Sequence, residues 1–425
     1  MSTAPGTGPR VAIACQGGGS HTAFTAGVLA RLLRDPALDD REIVGISGTS
    51  GGAACAIVAW DRLRHGDRTG AADALEAFWD DNAARSPLER LQNAGLVTAG
   101  TLQGLGLIPA GTPYLVPRPF DGTRQFRDLV ERHVDFGPTG EIAPRPDGPL
   151  LLLGAVDVLT GAFRAFSSRT DAISSETVLA SSAIPAAFRA VHTAGGVYWD
   201  GLFSQNPPIR DLLDALPDEL WGVQVVPAEI DTEPRTPLEI TVRRDGLSGN
   251  LSLHQELGFV ETIDRLLADG ALRDDAGYRQ VRVRVVELPG PIPSSRLFGS
   301  ASAIDRDAAF LERLELMGHD QAGRFLAVLT FERALREHDA GALRAALAPG
   351  ATLRSSAPFP VRTGVPLAGH ADELLDEVTV DPALRQRTGE GAVWAVRGPG
   401  GVPGRADAEL DDAGRVTELT LGPPR

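Results

Sequence analysis

One serine in this sequence stands inside a frame of glycines, Gly48-Thr49-Ser50-Gly51-Gly52, and it is here that a side chain could be made into a nucleophile. The spacing is that of a nucleophile elbow, a tight turn that holds the serine in a strained conformation at a helix N-terminus. Gly48 and Gly52 suit such a turn because a missing Cβ lets strand and helix pack closely around the exposed hydroxyl. Upstream, Glu42 to Ile46 carries Ile43, Val44 and Ile46, as a buried strand would. Downstream, Ala53 to Trp60 is alanine-rich and apolar, which favours a buried helix whose N-terminus welcomes negative charge beside Ser50. On five residues alone, a plain strand-to-helix turn is an equal rival. The flanking elements favour the nucleophile.

A nucleophilic serine needs stabilisation of an oxyanion and a base. Gly17-Gly18-Gly19 follows a strand-like run, Val11 to Cys15, and precedes a helix from about Thr22 to Leu33. Strand, glycine loop and helix aim backbone N–H groups at an anion. The lysine and spacing of a phosphate-binding P-loop are missing, so the fitting use is an oxyanion hole, where one lost donor costs about 3 kcal/mol. The rival is a tight connection that binds nothing. For the base, a triad would use histidine and a dyad aspartate. None of the eight histidines stands in a triad context; His254, in GNLSLHQELGF, is the best of them. Asp200-Gly201 lies where a strand ends in a turn.

The 425 residues suffice for two or three domains, and a net charge of -15 argues against nucleic acid and against general attraction to anionic membranes. Every basic residue is arginine. Cys15 and Cys55 imply no disulfide framework, which suits a reducing, cytoplasmic setting, and both read as small buried residues. No metal or cofactor is implied. The N-terminus lacks the apolar core of a secretory signal, and no run is long enough to span a membrane.

The elements that must position these groups follow in order. Residues 1–9 form a flexible leader. Asp61 to Asn82 is helical and charged, while Ser86 to Phe120, rich in glycine, proline and leucine, is a candidate lid or acyl-chain wall; an irregular excursion packed on the core is the alternative. Gly148 to Val158 is a central parallel strand by its continuous apolar run, with more strand at Gly161 to Phe166 and Leu220 to Val226. Leu251 to Leu267 is an amphipathic helix, and Gln280 to Leu288 alternates like an edge strand. The alternation predicts a doubly wound α/β domain over residues 10–319, with Ser50 and the glycine loop at the carboxyl ends of its strands. The pattern changes near Gly318. Residues 320–425 form a small α+β domain, with helices at Gln321–Glu337 and Gly341–Leu347. Its strands are Ala392–Val396, Ala406–Leu410 and Arg415–Leu421, the last two joined by a hairpin at Asp411-Asp412-Ala413-Gly414.

The blocks GGGSHTAFTAGVL from Gly17, GTSGG from Gly48, SSAIPAAFRAV from Ser181 and DGLFSQNPP from Asp200 together resemble the patatin-like phospholipase family, across residues 10 to about 290. The resemblance implies a patatin-type α/β fold and a Ser-Asp dyad, with Ser50 as nucleophile, Asp200 as base and Gly17, Gly18 and Gly19 as the oxyanion hole. It also implies a lipid or other acyl-ester substrate, transient contact with membrane surfaces, and no metal. This chain departs from the family's loop at His21 and Thr22, where a basic residue and glycine are usual, and at Leu202, where a second glycine often follows Gly201. His21 is expected to support the loop, with a charge that depends on pH near its ordinary value of about 6.5. The last hundred or so residues resemble the SnoaL-like cone of the nuclear-transport-factor type. The rival functions are a Ser-His-Asp α/β-hydrolase using His254 and a non-catalytic lipid-binding or scaffold protein.

Overall fold

The computed structural model describes residues 8–109, 111–115, 122–185, 187–230, 232–273, 277–290, 300–380, 386–388 and 391–424. At its centre is β1 (Arg10–Cys15), in which Val11, Ile13 and Cys15 enter one apolar core while Ala12 and Ala14 enter another on the opposite face. A strand covered on both faces needs this unbroken apolar run. The chain continues through α1 (Ala23–Arg34), β2 (Glu42–Thr49), α2 (Gly51–Leu63), α3 (Arg68–Asn82), α4 (Pro87–Gly104) and α5 (Thr123–His133). The short β3 (Glu141–Ile142) precedes β4 (Leu150–Asp157) and β5 (Phe163–Ser167), and pairs with β6 (Ile173–Ser174). Then come α6 (Ser175–Ser181), β7 (Val191–Thr193), β8 (Gly196–Asp200), β9 (Glu219–Gln224), α7 (Pro237–Ala268) and β10 (Arg282–Glu287).

Strands β10, β9, β1, β2 and β4 are parallel neighbours in that order, and β5 and β8 pair antiparallel with β4. Helices α1, α2 and α3 pack on one face of the sheet. On the other, Leu253, Leu257 and Val260 of α7 meet Ala12, Leu150, Leu152 and Leu220. This is the three-layer α/β arrangement the sequence predicts.

The C-terminal part begins on α8 (Ala308–Arg336) and α9 (Ala340–Ala345), followed by β11 (Leu347–Ser355), β12 (Arg362–Pro366), α10 (Ala371–Glu377) and β13 (Thr379–Val380). It closes with β14 (Gln386–Thr388), β15 (Gly391–Arg397), β16 (Pro403–Leu410) and β17 (Val416–Gly422). The expected closing hairpin is present: Gly414 takes φ 77°, and its N–H donates to the Asp411 carbonyl.

Three elements differ from the sequence reading. The run 280–288 is not an edge, because β14 pairs in parallel with β10 and continues the sheet. Much of the Ser86 to Phe120 stretch is helical. Ser86 and Glu89 form a capping box around Pro87 in the first turn of α4, which offsets the glycines further along; positions 110 and 116–120 fall outside the described residues. The helix expected from Gln321 begins at Ala308 and runs through Gly318. That glycine serves a crossing rather than a break, since a Cβ there would stand 2.1 Å from the Phe24 carbonyl of α1.

Candidate active site

Strand register brings the proposed groups together. Cys15 pairs with Gly48, so the next residues of each strand, Gln16-Gly17 and Thr49-Ser50, leave the sheet side by side. Thr49 pairs with Gly154, and Ala155, one residue on, pairs with Asp200. Neighbouring strands lie about 4.8 Å apart, so three strand ends converge on one spot at the carboxyl edge of the parallel sheet.

Ser50 takes φ 57° and ψ -129° at the N-cap of α2, a region that costs a residue with a Cβ about 1–3 kcal/mol. The surroundings hold it there. Its N–H donates to the Ser181 carbonyl at 3.0 Å, and its carbonyl accepts from the Ser182 hydroxyl at 3.2 Å. The Ser181 hydroxyl in turn donates to the Gly154 carbonyl at 2.6 Å. The elbow glycines are sterically required: a Cβ on Gly48 would stand 2.2 Å from the Gly52 carbonyl oxygen, and one on Gly52 2.3 Å from that of Cys15.

Asp200 ends β8 fully buried. Burial pushes its carboxyl from 3.8 up to about 7, while the Leu202 N–H and the Ser50 hydroxyl pull it partway back. Oδ1 accepts the Leu202 N–H at 2.9 Å; Oδ2 has no formed hydrogen bond among the described residues. The Ser50 hydroxyl lies near enough to the carboxyl to act on it. Leu202 serves this carboxyl through its backbone. Gly201 cannot carry a Cβ, which would stand 2.5 Å from the Gly154 oxygen.

The glycine loop lies directly against the serine, for a Cβ on Gly17 would come within 2.9 Å of the Ser50 Cβ. The Gly17 N–H is already taken by Asn206 Oδ1 at 2.7 Å, so the loop's candidate donors are the N–H groups of Gly18 and Gly19. Gly19 adopts φ 57°, and its carbonyl accepts the Thr22 hydroxyl at 2.6 Å. Thr22, in place of the usual glycine, thus fastens the turn. Gln16 anchors its start: Oε1 accepts the N–H groups of Val225 and Val226, and Nε2 donates to Asn250 Oδ1. Sequence reasoning passed over Asn206 and Gln16 and noted Thr22 only as a departure from the family's loop; the signal for Asn206 was its place inside the DGLFSQNPP block.

His21 is buried beside the loop, with Nε2 2.8 Å from the Ser302 hydroxyl. Burial pushes it down to about 4, so the expected charge change near 6.5 does not occur. His254 is exposed on α7, whereas Asp200 is buried and its carboxyl senses the Ser50 hydroxyl. Both thiols are buried, with Cys55 pushed up to about 12, as suits inert core residues. Among the described residues, no group of His, Cys, Asp and Glu is arranged to hold a metal, and no helix is long and apolar enough to cross a membrane.

A serine on a strained strand-to-helix turn, a buried carboxyl on the neighbouring strand end and a glycine loop of backbone N–H groups are the kinds of group that serine acyl hydrolysis needs. Residues 13–213 match the model of the patatin-like phospholipase family. No curated protein matches the chain significantly. Among solved structures, VipD from Legionella pneumophila is 12% identical with a TM-score of 0.29, and the match covers 80% of this chain and 78% of that one. A steroid delta-isomerase from Pseudomonas aeruginosa is 17% identical at a TM-score of 0.20, covering 24% of this chain and 79% of the other. A protein described as a SnoaL-like polyketide cyclase from Shewanella denitrificans is 19% identical at 0.18, covering 23% and 88%.

Proposed function

We propose that this protein is a serine acyl hydrolase acting on phospholipids or related acyl esters through a Ser50–Asp200 dyad. The observation that carries this reading is the convergence of strand ends that sets the fully buried Asp200 carboxyl and the glycine loop beside a serine on a strained elbow; burial raises that carboxyl to about 7. A carboxylate poised near neutrality both takes a proton readily and gives it back. Ser50 Oγ attacks the ester carbonyl as its proton passes to Asp200, and the carbonyl electron pair becomes an oxyanion held by the N–H groups of Gly18 and Gly19. Collapse expels the alcohol, which takes the proton from Asp200. Water then attacks the acyl-enzyme, with Asp200 again accepting and returning the proton, and the fatty acid leaves.

Asn206 and Thr22 hold the loop, and His21, neutral through the working range, packs behind it. Residues 10–319 are the catalytic unit in this reading, and 320–425 a SnoaL-like accessory unit. The test is release of fatty acid from phospholipid, and of chromophore from short acyl esters, by wild type, Ser50→Ala and Asp200→Asn. Loss in both variants supports the dyad. Lipid binding in a wild-type protein without esterase activity would instead favour a non-catalytic lipid-binding role.

A further inference from the structure

Helix α4 has inverted polarity. The side seated on the protein carries Asn93 and Thr101 beside Val97, whereas Leu88, Leu91 and Leu96 face outward, 64%, 71% and 59% exposed. The turn that follows adds exposed Leu105, Leu107 and Ile108. The charges of α4 are Glu89 and Arg90, and Glu89 is engaged in the N-terminal capping box. A helix that turns three leucines to solvent has the make-up of a surface element awaiting an apolar partner.

We propose that this face of α4 docks the protein on the surface of a zwitterionic phospholipid bilayer, a proposal that deepens the acyl hydrolase reading and rests on it for the purpose of docking. Two observations select the occupant. Arg90 is the one basic residue of α4, too little charge to hold an anionic surface, and the chain's net charge of -15 would be repelled by one. The segment is also fastened to both flanks of the candidate site. On one side, Gly100 sits against Ala301 and Ile304, and Asn93 Nδ2 donates to Asp305 Oδ1 at 2.6 Å. The same turn reaches the glycine loop through Ser302 and His21, and a Cβ on Gly19 would stand 2.0 Å from the Ala303 carbonyl oxygen. On the other side, the Ala190 N–H donates to Tyr114 Oη, and Arg189 donates to the Pro113 and Tyr114 carbonyls. That segment follows Ala183, whose carbonyl accepts the Asp200 N–H at 3.1 Å. A bilayer resting on α4 therefore meets the protein at the rim of the Ser50 site.

The experiment uses the full chain and phosphatidylcholine vesicles. Wild type and Ser50→Ala bind them equally, and Leu88→Asp with Leu91→Asp lowers the partition by about tenfold or more. The paired variant also loses vesicle hydrolysis in proportion, while turnover of a short soluble ester stays within about twofold. A second measurement places an environment-sensitive dye at Leu91→Cys, with Asp412→Cys as the remote control; Cys15 and Cys55 are buried. A vesicle-induced blue shift at the first position and none at the second supports docking through α4. Unchanged partition in the paired variant, or equal shifts at both positions, overturns it. So does a wild-type dimer that binds no vesicles and that the two aspartates dissociate, since the face would then belong to a second copy. Vesicle binding through α4 by a wild-type protein that hydrolyses no ester keeps the docking surface and removes the proposed reaction.

Discussion

Ser50 at φ 57° and Asp200 in full burial are both unfavourable on their own, and each is held by neighbours that gain from the arrangement. The proton balance of the dyad follows from the carboxyl's environment. A base must be unprotonated, so kcat/KM for a soluble ester should rise with pH through about 7 and level off above it, and Asp200→Asn should remove that limb with most of the rate. A profile flat from pH 5.5 to 8.5, a span chosen to bracket the Asp200 value, would contradict the assignment. The linked stability has the opposite sign. Because the folded value lies above 3.8, the contribution of Asp200 is complete below that pH and is lost as pH rises through about 7. His21, lowered to about 4, adds no limb to the activity profile; its share of stability is present above its ordinary 6.5 and is lost as pH falls through 4. The glycines at 17, 48, 52 and 201 were legible in the sequence because the backbone demands them, and Ser50 and Asp200 stood out as candidates because they lie inside those frames. Asn206 and Gln16 were not legible, since polar residues in loops look solvated until burial shows what they hold.

Among the elements, the crossing of α1 and α8 shows how a glycine can mislead. Gly318 reads as a break, yet it lets two helix backbones touch, matched by Gly27, where a Cβ would stand 2.0 Å from the Glu315 carbonyl oxygen. Gly318→Ala should therefore cost about 1–3 kcal/mol by overpacking. Gly323→Ala, five residues along the same helix with nothing within 4 Å of its added Cβ, should be neutral or stabilising by up to about 1 kcal/mol. Urea melts of the two variants check this, and equal midpoints would contradict the crossing. Helix α4 was missed for a related reason: glycine and leucine content suggested an irregular loop, and the Ser86-x-x-Glu89 capping box was the overlooked signal.

At the scale of the whole molecule, one sheet of 15 strands among the described residues runs from the N-terminal α/β part into the C-terminal part through the pairing of β10 with β14. Beside that join lies a buried ionic cluster. Arg284, 1% exposed, meets Glu219 at 3.2 Å and Glu332 at 2.7 Å, and Arg282 meets Glu332 at 2.9 Å. Glu332 sits on α8, so the cluster ties the strands of one part to the helix that enters the other. Removing one partner leaves buried charge uncompensated, and Glu332→Ala should cost about 3–5 kcal/mol in a urea melt. A loss under about 1 kcal/mol would mean that the cluster contributes no more than a surface pair. The hairpin β16–β17 was legible from its turn residues. The β10–β14 pairing was not, because nothing local in either strand names a partner about a hundred positions away.

The central claim meets its most direct test in the rate of fatty-acid release from phospholipid and of chromophore from a soluble ester, for wild type beside Ser50→Ala and Asp200→Asn. The dyad predicts an active wild type and a fall of about a thousandfold or more in each variant, with fold and melting behaviour retained. Ester turnover by Ser50→Ala near the wild-type rate, or full activity in Asp200→Asn, would contradict it.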